Sequence, residues 1–554
     1  MAGTDIKSDA DQKVGRTYPL LSPREVEALI AEGRSLIIVD QHVLKVDAWL
    51  PYHPGGNKAI QHMVGRDATD EVNGLHSAEA RAMMERYRIG RIEGRWQNLL
   101  PPIQGGRFRP RVVDTDKTSP SLSSSDSSRT ASPVSDKDVR QRRPAAAAAA
   151  AATPPPANTL PPDGLAHLDA LTKQEISLDL SKYPALDAAT QSAIIAKYRL
   201  LHARIQSEGL FDCNYTAYAI ECVRYALLFA LVLAFLRIKW FATSAFFLGV
   251  FWHQLVFTAH DAGHMGITHS FQVDTAIGIF VADFLGGLSL GWWKRSHNVH
   301  HIVTNAPEHD PDIEHLPFFA VSHRLLGGLR STYYERVMEY DAAARFFVGL
   351  QAYLYHFILL FGRFNLYRLS WEYILLGLGP RKGPAAWHRW LELAGQVFFW
   401  TWFGYGILYC SVDTNWQRAV YVLVSHVVTA PLHLQITLSH FAMSTADLGP
   451  DESFPQRMLR TTMDVDCPAW LDWFHGGLQF QAIHHLYPRL PRHNLRRTQR
   501  LVQGFCEEAG IPYALYGFVD GNREVLGRLG EVARQAAILK KCQGVVVRGE
   551  MGAH

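Results

Sequence analysis

Long apolar, aromatic-rich runs with few charged residues dominate residues 218–440 of this 554-residue chain, and they constrain its fold more than any other feature. Each of four runs approaches the roughly 20 residues that a helix needs to cross the hydrocarbon core of a bilayer. They cover residues 218–236, 240–259, 391–410 and 419–439. The sequence therefore predicts an integral membrane protein with about four transmembrane helices, and it excludes a small water-soluble binding module.

The sequence before and after the membrane region is mostly polar. Residues 15–100 alternate short apolar strands with helical stretches, which predicts a small α+β domain. Residues 104–163 are rich in Ser, Pro and Ala without apolar periodicity, which is typical of a disordered linker. Residues 200–510 form the predicted all-α membrane domain, and residues 511–554 a predicted cytosolic tail.

The N-terminal residues are charged and contain no apolar segment of the kind that a secretory signal needs. We therefore expect the N-terminal domain to stay in the cytosol. Two crossings then return the chain to the cytosol at His260, and two more return it at His440. This topology predicts that the histidine-rich segments form a cap on the cytosolic side of the membrane.

Charged residues are nearly balanced, with 55 Lys and Arg against 52 Asp and Glu, so nothing predicts a nucleic-acid partner. Six cysteines occur without a CxxC pair, which argues against a disulfide scaffold and against a thiolate zinc site. Histidine is the unusual residue. The chain has 26 histidines, and nine of them lie between His253 and His315.

One histidine motif lies in the N-terminal domain. His53 is followed by Pro54, Gly55 and Gly56, and a second histidine, His76, comes 23 residues later. Proline ends a helix and glycines allow a tight turn, so the His53 imidazole is expected to project from a loop. Two facing imidazoles would fill both axial positions of a haem iron, which can then only transfer electrons. By itself the motif fits an ordinary turn equally well.

Three histidine clusters follow in the membrane domain: HDAGH at 260–264, HNVHH at 297–301 and QAIHH at 481–485. On a helix, residues three and four apart share one face, so His260 and His264 point together, as do the histidines of the second cluster. Seven converging imidazoles exceed what one metal can bind, and imidazole suits iron. An isolated HxxxH is more often packing than ligation. Three clusters, each beside a membrane segment and accompanied by an electron-transferring domain, predict two irons that act on oxygen and an alkyl C–H bond.

An acidic run, NAPEHDPDIEHLP, follows the second cluster and contains Asp310 and Asp312. These carboxylates either orient metal-bound imidazoles from behind or belong to a solvated loop. The sequence alone leaves both interpretations open.

The N-terminal domain resembles the cytochrome b5 family over roughly 80 residues, from VDAWLPYHPGG through GLHS to YRIGRIEG. In that family the histidine of HPGG and the later His-Ser histidine are the axial ligands of haem b. The resemblance therefore implies that His53 and His76 hold the haem. A reductase that uses NADH, NADH–cytochrome b5 reductase, is the implied electron source, and the long linker would let the haem domain approach the iron site.

The three clusters resemble the histidine boxes of the membrane fatty acyl and sphingolipid desaturases, over roughly residues 200–510. The fused haem domain and Gln481, in place of the first histidine of box three, mark the front-end subgroup. The resemblance implies a di-iron centre in the endoplasmic reticulum membrane, with O2 and a membrane lipid as reactants. The implied ligands are His260, His264, His297, His300, His301, His484 and His485, with His440 as an additional ligand. Gln481 is not counted as a ligand. His475 lies close to box three in the sequence and is a candidate to support one of its histidines from behind.

The stretch from Cys467 to Arg496 looks most like the fungal sphingolipid Δ8 desaturases, which act on the long-chain base of ceramides. Four arginines in or near it either hold a lipid headgroup or neutralise anionic lipid: Arg489, Arg492, Arg496 and Arg497. Three alternatives stay open. They are a front-end Δ5 or Δ6 fatty acyl desaturase, a lipid hydroxylase fused to cytochrome b5, and a membrane-anchored electron carrier whose histidines are structural.

Overall fold

The computed structural model describes residues 17–99 and 162–547. The predicted linker, except for its last two residues, and the charged N-terminal segment lie outside these ranges. The description below therefore concerns the N-terminal domain, the membrane domain and most of the C-terminal segment.

The N-terminal domain is a four-stranded sheet with helices on both faces, as predicted. Its strands run in the order β1-β4-β3-β2, with β1 parallel to β4 and the other pairs antiparallel. The strands are β1 (Leu20–Leu21), β2 (Leu36–Val39), β3 (His42–Lys45) and β4 (Arg88–Ile92). The helices are α1 (Pro23–Ala31), α2 (Asn57–Gln61), α3 (Thr69–Leu75) and α4 (Ala78–Met84).

Strand β2 is apolar at all four positions because both faces of the sheet are covered. Its even and odd residues point to opposite faces. Leu36 and Ile38 pack with Val26 and Ile30 of α1, whereas Ile37 and Val39 belong to a second apolar cluster. The loop that contains His53 and the end of α3, next to His76, lie at one edge of this second layer.

The remainder of the described chain is predominantly helical. Its helices are α5 (Pro162–Lys182), α6 (Ala188–Ser207), α7 (Tyr215–Arg237), α8 (Phe241–Gly263), α9 (Phe271–Ile279), α10 (Leu290–Ile302), α11 (Ala342–Leu359), α12 (Gly362–Leu376), α13 (His388–Phe399), α14 (Asn415–Val427), α15 (Ala430–Phe441), α16 (Phe454–Thr461), α17 (Asp472–His475), α18 (Gln481–Leu486), α19 (Leu495–Ala509) and α20 (Phe518–Val547). Two short strands, β5 (Asp464–Asp466) and β6 (Leu515–Gly517), pair in parallel.

Three helical runs in the described part of the chain are long and apolar enough to cross a membrane: α7, α8 and the run Asn415–Phe441 made by α14 and α15. Two further pairs meet the same criterion but bend sharply. Phe271–Leu285 and α10 meet at 117°, and α11 and α12 at 80°. Residues 17–99 and 162–547 thus contain three such runs, or up to five if each bent pair is one crossing. The predicted span 391–410 corresponds to α13 and the π-helical turns Trp400–Tyr409, which are not among them.

The described part of the C-terminal segment packs against the membrane domain. Strand β6 pairs with β5, and helix α20 packs against α11 through Val525, Leu529 and Tyr355. Beneath them, Arg460 of α16 is buried and donates to both carboxylate oxygens of Glu452, at 2.7 and 2.8 Å, and to Asp179 of α5 at 2.9 Å. This network fixes α5 against the domain.

Replacing Arg460 with Ala leaves these two carboxylates buried without a cation. We expect the free energy of unfolding to fall by about 3–5 kcal/mol, because an uncompensated buried charge costs that much. The matched control is Arg497→Ala, because Arg497 is 65 % exposed and pairs with Glu208 at the surface, where a pair contributes about 1 kcal/mol or less. Thermal unfolding in detergent measures both, and equal shifts in Tm would contradict the prediction.

Candidate metal centre

The three histidine boxes and His440 come from four helices whose ends meet. His260 lies in the last turn of α8 and His264 directly follows that helix, while α10 carries box two, α18 carries box three and α15 ends beside His440. The close approach of α8 to α10 depends on Gly263, because a Cβ there would overlap the Trp293 ring. Trp293 in turn stacks on His297, with ring centroids 4.5 Å apart.

The first group of converging ligands joins all three boxes. One ring nitrogen from each of its members lies within 4.8 Å of the others, close enough to share one metal ion. The members are His260, His264, His297 and His484. The second group contains His300, His440 and His485, and it meets the same criterion. Both groups consist of imidazoles alone, a donor set that suits iron, copper or zinc.

His301 lies between the two groups. Its Nε2 is 3.1 Å from Nε2 of His297 and 3.1 Å from Nε2 of His484, both in the first group. Its ring also stacks on His485 of the second group, with centroids 4.3 Å apart. The two groups are therefore neighbours within one centre, and His301 is placed to serve either of them.

Some ring nitrogens of this centre form no hydrogen bond within the described part of the protein. Nε2 of His264 and Nε2 of His485 are buried with no hydrogen-bond partner among the described residues. Burial, together with the neighbouring imidazoles, lowers the pKa of His484 and His485 well below its usual range. Both rings are therefore neutral, which is the form that binds a metal.

Asp310 of the acidic run lies directly behind the imidazole of His300. The structure therefore favours the interpretation in which this carboxylate orients an imidazole over the one in which it lies in a solvated loop. Oδ2 of Asp310 is 2.8 Å from Nδ1 of His300 and accepts the backbone N–H of Asn305 at 2.8 Å, and the residue is fully buried. The carboxylate thus turns Nε2 of His300 toward His440, 3.3 Å away. Asp312 lies 3.5 Å from Nδ1 of His297 in the same manner. A carboxylate behind an imidazole is the usual support of a metal-bound histidine.

Two further positioning groups were not identified from the sequence. Asp464 of β5 accepts the backbone N–H of Ala482 at 2.8 Å and so holds the start of the short helix α18. Burial raises the pKa of Asp464 to about 7. Arg492 is buried and pairs with Asp261 of box one and with Glu221 of α7. The sequence contained one signal for this role of Arg492. Its two partners, Glu221 and Asp261, are acidic residues within otherwise apolar or histidine-rich segments.

The four arginines considered for a lipid headgroup are largely engaged within the protein. Besides the buried pairs of Arg492, Arg496 pairs with Asp472, and Arg497 pairs with Glu208 at 3.1 Å. Arg489 is partly buried, with its Nη2 3.3 Å from Nδ1 of His269. Gln481 and His475 are buried, and neither belongs to either group of converging ligands.

The two histidines of the N-terminal domain face each other. Their ring centroids are 5.9 Å apart, a spacing that accommodates two metal–nitrogen bonds of about 2 Å each. Nδ1 of His53 is 2.8 Å from the Gly56 carbonyl, and Nδ1 of His76 is 3.2 Å from the Val72 carbonyl. These carbonyls accept from Nδ1–H and leave each Nε2 as the free donor atom. Burial, and next the charge of His53, lowers the pKa of His76 to about 3, so this ring is neutral.

Comparison with known proteins finds relatives for both parts of the chain. Residues 22–93 match the model of the cytochrome b5-like heme/steroid binding domain, and residues 238–517 match that of the fatty acid desaturases. A Delta 8-(E)-sphingolipid desaturase of Emericella nidulans is 63 % identical over 529 residues, which cover 95 % of this chain and 96 % of that protein. Proteins of the same name from Kluyveromyces lactis and Candida albicans are 50 % and 46 % identical, covering 94 % and 95 % of this chain and 94 % and 97 % of those proteins.

Both matches fall on the segments whose histidines converge, and the similarity to these relatives extends over nearly the whole chain. The chain therefore belongs to the fatty acid desaturase family and carries an N-terminal cytochrome b5-like domain.

Proposed function

We propose that this protein introduces a Δ8 double bond into the long-chain base of a sphingolipid such as ceramide. The observation that carries the chemistry is the convergence of seven histidines into two adjoining groups, with His301 between them, beside a cytochrome b5-like domain. The substrate rests on relatives named Delta 8-(E)-sphingolipid desaturase that align over nearly the full length of both chains. Per double bond, one O2, two electrons and two protons would remove two hydrogens from the lipid and yield two waters.

The histidines that we assign as iron ligands are His260, His264, His297, His300, His301, His440, His484 and His485. Two iron ions held there would supply the activation of O2. The residues fit this role because their ring nitrogens converge in two groups, and Nε2 of His264 and Nε2 of His485 are buried without a hydrogen-bond partner among the described residues. In this assignment Asp310 and Asp312 keep Nε2 of His300 and His297 directed inward, and Trp293 covers His260, His264 and His297 from water.

His53 and His76 are the proposed axial ligands of haem b, which would supply one-electron transfer. The residues fit because two facing rings present free Nε2 atoms while their Nδ1 atoms are held by backbone carbonyls. An NADH-dependent reductase is the proposed electron source. We further propose the domain limits 15–100 for the haem domain, 200–510 for the membrane domain and 511–554 for the C-terminal segment, and the family matches at 22–93 and 238–517 support the first two.

The proposed orientation places both sites on the cytosolic side of the endoplasmic reticulum membrane. Helices α7 and α8 form a hairpin, and α13 and the Asn415–Phe441 run form another. Lys239 in the turn of the first hairpin pairs with Asp413 in the turn of the second, at 2.9 Å, so the two turns lie together. The histidines lie at the opposite ends, at His260 and His440. Both hairpins therefore return to one face, as four crossings require.

Lipid analysis tests the reaction and its substrate. In yeast that lacks sphingolipid Δ8 desaturation, we expect this chain to produce long-chain bases with two hydrogens fewer, and the His297→Ala variant to produce none. Mass spectrometry of long-chain bases and fatty acids makes the measurement. A double bond in the fatty acyl fraction would instead indicate a Δ5 or Δ6 desaturase, and an added oxygen would indicate a hydroxylase. Purified protein that contains haem without non-haem iron would indicate an electron carrier.

Asp310→Asn tests the proposed support of the iron ligands. The substitution preserves size but removes the charge behind His300, so iron affinity and activity should fall by about 10–100-fold. Asp520→Asn is the control, because Asp520 is 65 % exposed and pairs only with Arg523 on its own helix. Iron content by elemental analysis accompanies the assay, and an Asp310→Asn protein with wild-type iron content and activity would contradict the role.

A further inference from the structure

The haem-type domain lies directly against the helix that carries box two. Val299 and Ile302 of α10 belong to the same buried apolar cluster as Ile37 and Met63 of the N-terminal domain. These residues are at most 6 % exposed. The second apolar face of the N-terminal sheet is thus completed by the desaturase domain, so the two units share a core as well as a linker.

Both loops that carry the proposed haem ligands contact segments that carry histidine boxes. Asn298 of box two donates from Nδ2 to the Gly55 carbonyl at 3.4 Å, and a Cβ at Gly55 would lie only 2.7 Å from that Nδ2. A Cβ at Gly56 would lie 3.1 Å from Cγ of Arg295. On the other side, a Cβ at Gly74 would lie 3.5 Å from the Leu486 carbonyl, directly after box three. The glycines of HPGG therefore permit close approach between the domains in addition to the turn.

Ion pairs surround this contact. Helix α3 presents two buried acidic residues to basic residues of the other domain, with distances of 2.8 and 3.0 Å, and α2 adds a pair of opposite polarity. The pairs are Asp70–Arg199, Glu71–Arg457 and Lys58–Glu335. Complementary charges around an apolar centre define both the register and the orientation of an interface.

We propose that the haem domain acts from this fixed dock, and that Asn298 is the positioning residue that holds the loop of His53 against helix α10. This inference rests on the proposed function, since it concerns how the two sites are joined. It replaces the picture of a domain that moves on its linker to reach the iron site. Asn298 suits the role because its side chain contacts the haem loop while the adjacent His297 and the nearby His301 face the metal centre.

Asn298→Asp is the first test, in the full-length protein loaded with haem and iron. The variant keeps the size of the side chain but turns an acceptor toward the Gly55 carbonyl. We expect amide hydrogens of residues 53–60 to exchange about tenfold faster or more, as in a locally opened contact. Re-oxidation of dithionite-reduced haem by O2 and ceramide should slow by about tenfold or more, because positioning errors of about 1 Å have effects of that size. Haem absorbance and iron content should not change.

Asn365→Asp is the matched control, since Asn365 is exposed on α12 and its one side-chain hydrogen bond among the described residues is accepted from Arg368 of the same helix. It should leave amide exchange and haem re-oxidation as in the wild type.

A charge exchange tests the dock away from both metal sites. Asp70→Arg and Arg199→Asp should each accelerate amide exchange in residues 53–60 and slow haem re-oxidation, and the double variant should restore both. Unchanged exchange and re-oxidation in all these variants would overturn the fixed dock. Failure of the proposed function gives a different result, because wild-type protein would then show the protected loops and form no desaturated long-chain base.

Discussion

Eight imidazoles gathered within a few ångströms are the constraint on which the rest of this structure depends. They come from four helices, and these helices can meet only where the backbones approach closely. Gly263 removes the one side chain that would separate α8 from α10, and Trp293 fills the space beside the rings. Since burial favours neutral imidazole, the enclosure that assembles the donors also keeps them in the form that binds metal.

Several buried charged residues of the membrane domain serve the same purpose, because they hold the histidine-bearing segments in place. A short helix such as α18 cannot hold two histidines in place by its own stability, because isolated helical turns are marginal. Asp464 fixes its start, and Arg492, shortly after it, is paired with Asp261 of box one. Asp310 then orients box two from behind. Each box thus contains or contacts a buried carboxylate. The free-energy cost of burying that charge is offset because the carboxylate has a hydrogen-bonding or charged partner.

The contact between the haem-type domain and the desaturase domain sets how these two fused units are arranged. An electron carrier and an oxygen-using site can cooperate through diffusion, but here the haem-type domain shares an apolar cluster with the box-two helix. The ligand loops of the one unit lie against the ligand helices of the other. The linker between them therefore need not determine how the sites meet, because the interface itself carries the orientation.

Spacing in the sequence singled out the histidines of the first two boxes, because HxxxH and HxxHH place rings on one helix face before any tertiary contact forms. His440 has no such local pattern and was found only through resemblance to a family. The strand of residues 36–39 and the apolar helices were equally readable from local pattern. The number of crossings was not, since α9 and α10, like α11 and α12, bend where no single residue pattern requires it.

Local sequence thus determined which residues bear chemistry and which segments are apolar, because helical periodicity and side-chain polarity act over a few residues. Only the tertiary structure decided that seven of the eight histidines form a group of four and a group of three, and that His301 lies between the two groups. It also decided that Asp310 supports a ligand rather than facing solvent, and that Asn298 meets the haem loop. These facts depend on contacts between segments from 10 to more than 200 residues apart, and a spacing rule carries no information about such distances.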